Sequence, residues 1–146
     1  MASRAFIINA DKDPIQGIYL HHEGSLNFAG VTLYNNYKNR AKVNELIALG
    51  DLSVLRDNIG TKTQYRNPAP NQCVAYHRDA EEDLEISKFT DMAEVEELSK
   101  MYSYVYIWKN KQWQYLVRKD DKRIEMTPLK DILIAKELLP NEAPTS

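Results

Sequence analysis

The sequence predicts an α+β domain: a mainly antiparallel sheet of four to six strands with about four helices packed on one side. Three observations predict it. Short runs of β-branched and aromatic residues come in pairs separated by turn residues, at 4–22 and again at 102–118. Between and after these pairs, apolar residues recur at helical spacing, around 31–37, 43–47, 92–101 and 129–133. The resulting element order is ββααβ(β)αβ(β)(β)α. It sets hairpins between helices instead of following each strand with a crossover helix, as a parallel sheet would require.

The first strand is expected at about 4–9, over the apolar run Ala5, Phe6, Ile7 and Ile8. Asp11, Asp13 and Pro14 are turn residues, since Pro14 fixes φ and disfavours helix at Asp13. A second strand at 16–22 closes an antiparallel hairpin. Alternation puts Ile18, Leu20 and His22 on one face, and Tyr19 and His21 on the other. Residues 23–30 form a loop bounded by Gly24 and Gly30.

Val31, Tyr34 and Tyr37 then predict a helix over 30–38. Asn39 is placed to N-cap a second helix carrying Val43, Leu46 and Ile47 on one stripe, with Gly50 as its C′ residue. Residues 51–55 lead away. The segment 56–71 is polar, contains Gly60, Pro68 and Pro70, and is the longest expected loop; such loops are functional or mobile.

A third strand is expected at 72–78, where Cys73, Ala75 and His77 alternate with Val74, Tyr76 and Arg78. Residues 79–83 read as an acidic turn and 85–89 as a short edge strand. Asp91 and Glu94 resemble a capping box opening a helix at 91–101, striped by Met92, Val95, Leu98 and Met101, with an outer Glu96–Lys100 pair. The clearest hairpin joins 102–108 to 112–118 through Lys109, Asn110 and Lys111. Asp120 and Asp121 make another turn before a short strand at 123–125. Thr127 and Pro128 read as N-cap and N1 of a last helix that carries Leu129, Ile132, Leu133 and Lys136 and stops at Pro140.

With 146 residues, the chain suits one domain, spanning 1–140 with a frayed tail at 141–146. Hydrophobic residues make up 43% and charged residues 27%, a globular composition. A formal net charge of −2 lacks the basic excess that marks general nucleic-acid binding. Cys73 is the one cysteine, so no internal disulfide forms, and its apolar surroundings suggest an inert core thiol. No segment approaches the roughly 18 apolar residues of a membrane span, and the N-terminal apolar run is too short for a signal peptide, so a soluble, cytoplasmic protein is expected. No catalytic or cofactor-binding fingerprint is present.

The stretch from residue 17 to 55 resembles a widespread family of small, uncharacterised bacteriophage and prophage proteins. Their pattern runs GIYxHxDGYPxxxGxTLLxxYxxxxKVxxLIxLGDISxL, with AYxRDRGE some twenty residues on. The matching residues are Gly17, Ile18, Tyr19, His21 or His22, Gly24, Gly30, Thr32, Leu33, Tyr37, Lys42, Val43, Leu46, Ile47, Leu49, Gly50, Asp51, Ser53 and Leu55. Ala75, Tyr76, Arg78, Asp79 and Glu82 follow. The resemblance covers roughly the first 85 residues and departs at Glu23, at Ser25 and Leu26, and at Ala80 and Glu81. It implies a phage-encoded accessory protein and brings no reaction with it.

Three constellations could carry chemistry. His21, His22 and Glu23 suit acid–base or metal work, although adjacent strand residues point to opposite faces; the bland alternative is one His capping the loop and one satisfied in the core. Arg78 beside Asp79 could hold a phosphate, or be an ordinary ion pair. If the second and third strands are neighbours, His22, Glu23, Arg78 and Asp79 converge into a ligand pocket floored by Tyr19 and Tyr76. The third constellation is the aromatic–basic hairpin, where Tyr106, Trp108, Trp113 and Arg118 could anchor a protein partner, or simply pack across strands. Residues 79–97 carry nine acidic side chains against one Lys, a face that could meet a partner or the basic hairpin of a second copy in a homo-oligomer.

The functional expectation is a non-enzymatic binding protein acting on a host process, its partner a small nucleotide-like ligand. The rival is an inhibitor of a host protein, and a small hydrolase or nuclease using His22, Glu23 and Asp79 is the third.

Overall fold

The computed structural model describes residues 3–118 and 123–139. It is an α+β fold of eight strands and five α-helices. The strands are β1 (Ala5–Asn9), β2 (Ile15–Leu20), β3 (Leu52–Val54), β4 (Val74–Ala75), β5 (Ser87–Phe89), β6 (Tyr104–Lys109), β7 (Gln112–Arg118) and β8 (Ile124–Pro128). The helices are α1 (Val31–Asn36), α2 (Arg40–Ala48), α3 (Tyr76–Ala80), α4 (Met92–Glu97) and α5 (Leu129–Ala135). A single sheet runs β4-β3-β2-β1-β6-β7-β8, and β5 also pairs with β2.

Both expected hairpins form. In the first, Ala5 faces Leu20 and Ile8 faces Gly17. In the second, Trp108 faces Trp113 across a two-residue turn, with Asn110 at φ 53° and Lys111 at φ 63°. Two successive positive φ values match the twist of a tight hairpin. The carboxylate of Asp11 steadies this turn by accepting the N–H groups of Asn110 (2.8 Å) and Lys111 (3.1 Å).

The sheet holds more strands than the four to six expected. The strand that was not expected is β3, three residues long and too short to show a period of two. The sheet is also mixed: β1 lies parallel to β6, and β2 parallel to β3. The all-buried run of β1 reflects its place in the middle, covered on both faces.

Helices pack on both faces, not one. Ala5, Ile7, Ile18 and Leu20 point into a large core with Leu33, Val43, Leu46, Leu129 and Leu133 of α1, α2 and α5. Phe6, Ile8, Val105, Ile107 and Leu116 point the other way and are covered by Val95 of α4, with Met92 and Leu98 beside it. The alternating apolar residues of β1 and β6 demand two apolar layers, which one-sided packing cannot supply.

The cap signals hold in part. The Asn39 side chain accepts the Lys42 N–H at 2.9 Å, and Gly50 follows α2 at φ 76°. Asp91 accepts the Glu94 N–H, while Glu94 reaches Thr90 N instead of closing a box on Asp91. Beyond α4, residues Leu98–Lys100 tighten into a 3-10 turn. There Lys100 pairs with Glu97 at 2.8 Å instead of Glu96, and Met101 is left exposed. Thr127 and Pro128 end β8, so Pro128 occupies the cap position of α5 and Thr127 caps nothing. The expected turn at Asp120 and Asp121, the stop at Pro140 and the tail 141–146 lie outside the described residues.

The loop after β2 is not irregular. Leu26–Gly30 winds as a π-helical turn leading straight into α1. Gly24 opens it under tight constraint: its N–H donates to Ser3 O at 2.7 Å, and its carbonyl accepts the Tyr106 hydroxyl at 2.7 Å. A Cβ at Gly24 would run into Ser3 O and the Ala5 side chain. Gly24→Ala should therefore destabilise the fold by about 1–3 kcal/mol, the usual cost of overpacking. An unchanged denaturant midpoint would show that the N-terminal segment yields freely.

Candidate functional site

The expected third strand ends after two residues. Past Ala75 the chain turns into α3, and the reason is Asp79. Its Oδ2 accepts the Ala75 N–H at 2.8 Å, four residues back. A strand would hold those residues about 13 Å apart, and only a helical turn brings them together. Asp79 is thus buried and is no part of an acidic surface turn. Its Oδ1 also accepts the Thr63 N–H (3.0 Å), and both oxygens face Arg78, at 2.9 Å from Nε and 3.0 Å from Nη2. Burial raises the carboxyl pKa, but bonds from Arg78 and from the Ala75 and Thr63 N–H groups outweigh it and hold the group below its ordinary value.

Arg78 spends its remaining reach on the backbone. Nη1 donates to Ile59 O (2.9 Å) and Nη2 to Cys73 O (2.8 Å). The pair therefore staples the 56–71 loop to the sheet from both sides. Further bonds close the loop on itself: Gln72 Nε2 to Thr61 O (2.6 Å), Ala69 N to Thr63 Oγ1 (2.8 Å) and Asn58 Nδ2 to Asn71 O (3.1 Å). At its tip, Tyr65 leans on Tyr76, with ring centroids 5.8 Å apart. Between the tip and α3 lies a groove of about 600 Å³. Gln64, Tyr65 and Arg66 form one wall, and Asp79, Ala80, Glu81 and Glu82 the other. Lys62 offsets Glu81 at 3.2 Å.

A ledge of hydroxyl and imidazole groups adjoins Tyr76. Ser53 Oγ lies 3.4 Å from the Tyr65 hydroxyl. Burial raises the Tyr76 pKa, the Ser53 hydroxyl lowers it, and the nearby Tyr65 and Tyr19 phenols raise it further. The Tyr19 hydroxyl meets His21 Nδ1 at 2.6 Å, and the His21 ring crosses His22 at 4.3 Å. Desolvation lowers the His21 pKa, and the His22 and Arg4 charges lower it further, favouring a neutral ring. Strand β2 stops at Leu20, so His22 does not share a face with Ile18 and Leu20 but stands exposed in the following bend.

Of the six residues expected to bind a ligand, the structure brings Tyr19 and Tyr76 onto one ledge and seats Arg78 and Asp79 beneath the loop as its fastening. Glu23 instead pairs with Arg56 at 2.7 Å. Among the described residues, no hydrogen bond or ion pair joins Glu23 to Arg78 or Asp79, and no three His, Cys, Asp or Glu side chains form a metal-ligand set. Tyr65 and Arg66 were missed as individuals. Their signal was the loop's length and the fact that Tyr65 is its one aromatic residue.

The aromatic hairpin is core. Tyr106, Trp108 and Trp113 are 0%, 2% and 5% exposed, so they pack under α1 and α5 and offer no surface to a partner; Arg118 is exposed at the end of β7. Cys73 is buried, with its thiol pushed up by desolvation. No helix among the described residues is long and apolar enough to cross a membrane. Compared with family models, curated proteins and solved structures, the chain matches none.

Proposed function

We propose that the chain is a non-enzymatic binding protein that holds a small nucleotide-like ligand in the groove between the 56–71 loop and α3. The observation that carries this reading is the order of the loop. Sixteen residues with almost no regular structure are fastened by a buried Arg78–Asp79 pair, and this fastening presents Tyr65 and Arg66 over an open groove. A preorganised loop loses little entropy on binding. The groove's size falls in the usual 300–1,000 Å³ range for small-ligand sites.

The chemistry suits a base joined to a phosphate. Tyr65 offers an exposed ring for stacking, and Arg66 a guanidinium for bidentate phosphate contact. Ser53, Tyr76, Tyr19 and His21 supply donors and acceptors to one side. Beside the groove, Asp79 and His21 are engaged in structure: Asp79 accepts four hydrogen bonds, and His21 is tied to Tyr19. The resemblance of residues 17–85 to phage and prophage proteins supports a role against a host process, with sequestration of a defence signal as the simplest task for a binder without turnover.

Native mass spectrometry with a panel of mono-, di- and cyclic nucleotides tests this. One member should add its own mass to the wild-type protein. Tyr65→Ala should weaken it about 5–150-fold, the equivalent of roughly 1–3 kcal/mol of stacking. Arg66→Glu should abolish it, and both variants should keep the wild-type melting temperature. Failure of every nucleotide to bind, or wild-type binding by both variants, would sink the proposal.

A further inference from the structure

The α3 wall of the groove beside the 56–71 loop carries three carboxylates, those of Asp79, Glu81 and Glu82. Two of them are already engaged. Asp79 is bonded to Arg78 and to the Ala75 and Thr63 N–H groups. Glu81 pairs with Lys62 at 3.2 Å. Glu82 lines the same wall, is exposed, and pairs with no cation among the described residues.

The backbone holds Glu82 from both sides. Glu81 ends α3 in the left-handed region, at φ 57°, and turns the chain back along the helix. The Glu82 N–H then donates to Tyr76 O at 3.1 Å, and the Glu82 carbonyl accepts His77 Nδ1–H at 2.7 Å. Neither bond uses the Glu82 side chain. Its carboxylate is thus free to bind while its point of attachment is already fixed, which lowers the entropy lost on binding.

An ionised carboxylate only accepts hydrogen bonds, and its two oxygens suit a parallel pair of donors. Its complement is a base edge with two adjacent N–H groups. Guanine has such an edge, at N1–H and the 2-amino group. Adenine and cytosine set a bare ring nitrogen beside their amino group, and uracil sets its one N–H between two carbonyls. Each of those edges turns a lone pair toward the carboxylate, an unfavourable juxtaposition that discriminates against it.

We infer that Glu82 makes this groove selective for guanine nucleotides. The inference rests on the reading of the groove as a nucleotide site and adds the identity of the base. The base stacks on Tyr65 and sets N1–H and the 2-amino group on the Glu82 carboxylate, while Arg66 takes the phosphate. Lys62 and Arg78 offset the other two carboxylates of the wall, so they do not repel the phosphate as free acids would.

Titration calorimetry with the monophosphates of guanosine, adenosine, inosine and xanthosine tests this, because all four carry the same phosphate and differ in the purine edge. Guanosine monophosphate should bind about 5–150-fold more tightly than adenosine monophosphate, the range for one bidentate base contact. Inosine monophosphate, which lacks the 2-amino group, should fall between them. Glu82→Gln replaces one acceptor by a donor, and xanthosine sets a carbonyl beside its N1–H. The variant should therefore prefer xanthosine monophosphate to guanosine monophosphate, reversing the wild-type order. Loss of a negative charge alone would strengthen all four alike. Equal binding of the guanosine and adenosine compounds, both weakened by Tyr65→Ala, would overturn this inference and leave the nucleotide reading standing. An unreversed order in Glu82→Gln would also overturn it. Binding of none of the four would overturn it as well, and failure of the wider nucleotide panel would take the nucleotide reading with it.

Discussion

Asp79→Ala is expected to lower the stability of this protein by about 3–5 kcal/mol, the usual result of breaking a buried ion pair from one side. The change leaves the Arg78 guanidinium, 16% exposed, without its counter-ion and strips the Ala75 and Thr63 N–H groups of their acceptor. In a chain of this size each kcal/mol moves the melting temperature by roughly 3–5 °C, so a fall of about 10–20 °C should follow. Arg78→Ala should do comparable damage, because Asp79 would then be a buried, unpaired carboxylate. The double variant should lose far less than the sum of the two. Hydrogen exchange at 59–73 should rise more than elsewhere, since both residues fasten that segment. A melting temperature within about 2 °C of wild type for both single variants would show that the pair fastens nothing.

The same pair sets a pH dependence. The Asp79 carboxyl is held below its ordinary value of 3.8 in the folded chain. The folded state therefore binds this proton less readily than the unfolded state does. The pair's contribution is fully present above the unfolded value, and it fades as pH falls below about 4 and through the folded value. Wild-type stability should drop across that acid window, and the part of the drop owed to this pair should be missing in the Asp79→Ala variant.

Trp113→Ala should cost about 3–5 kcal/mol, the range for removing a buried aromatic side chain. The ring packs edge-on to Trp108 at 5.4 Å and faces it across the β6–β7 pair. Its Nε1–H also satisfies Tyr37 O at the end of α1. Trp113→Phe keeps most of the ring and removes the donor, so it should cost about 1–3 kcal/mol. A partner-anchoring tryptophan would behave in the opposite way, leaving the melting temperature unchanged while abolishing capture of a partner from host lysate. Measuring both quantities on the same variant decides between core and interface.

Much of the local structure was legible in the sequence. Alternation located both hairpins, and the apolar stripe located α2 between its Asn39 cap and the left-handed Gly50. Each of those signals depends on residues within a few positions of one another, so the chain carries them wherever it folds. The site was legible only in outline. Tyr19, Tyr76, Arg78 and Asp79 were singled out, but the sequence could not say which of them face a ligand and which hold the loop. Arg78 and Asp79 look the same in a string whether they lie at a strand end or beneath a loop. The difference lies in acceptors as distant as Ile59 and donors as distant as Thr63.

The sequence by itself determined the α+β class, the two hairpins and the caps of α2, because periodicity and turn chemistry are local. The tertiary structure alone decided four things: the parallel pairing of β1 with β6, the second helical face, the turn of 76–80 into α3, and the burial of the aromatic hairpin. An alternating pattern says which residues share a face but not what covers that face or which strand lies beside it. Only the packed molecule brings Ala5 beside Tyr104 and turns Asp79 back onto Ala75.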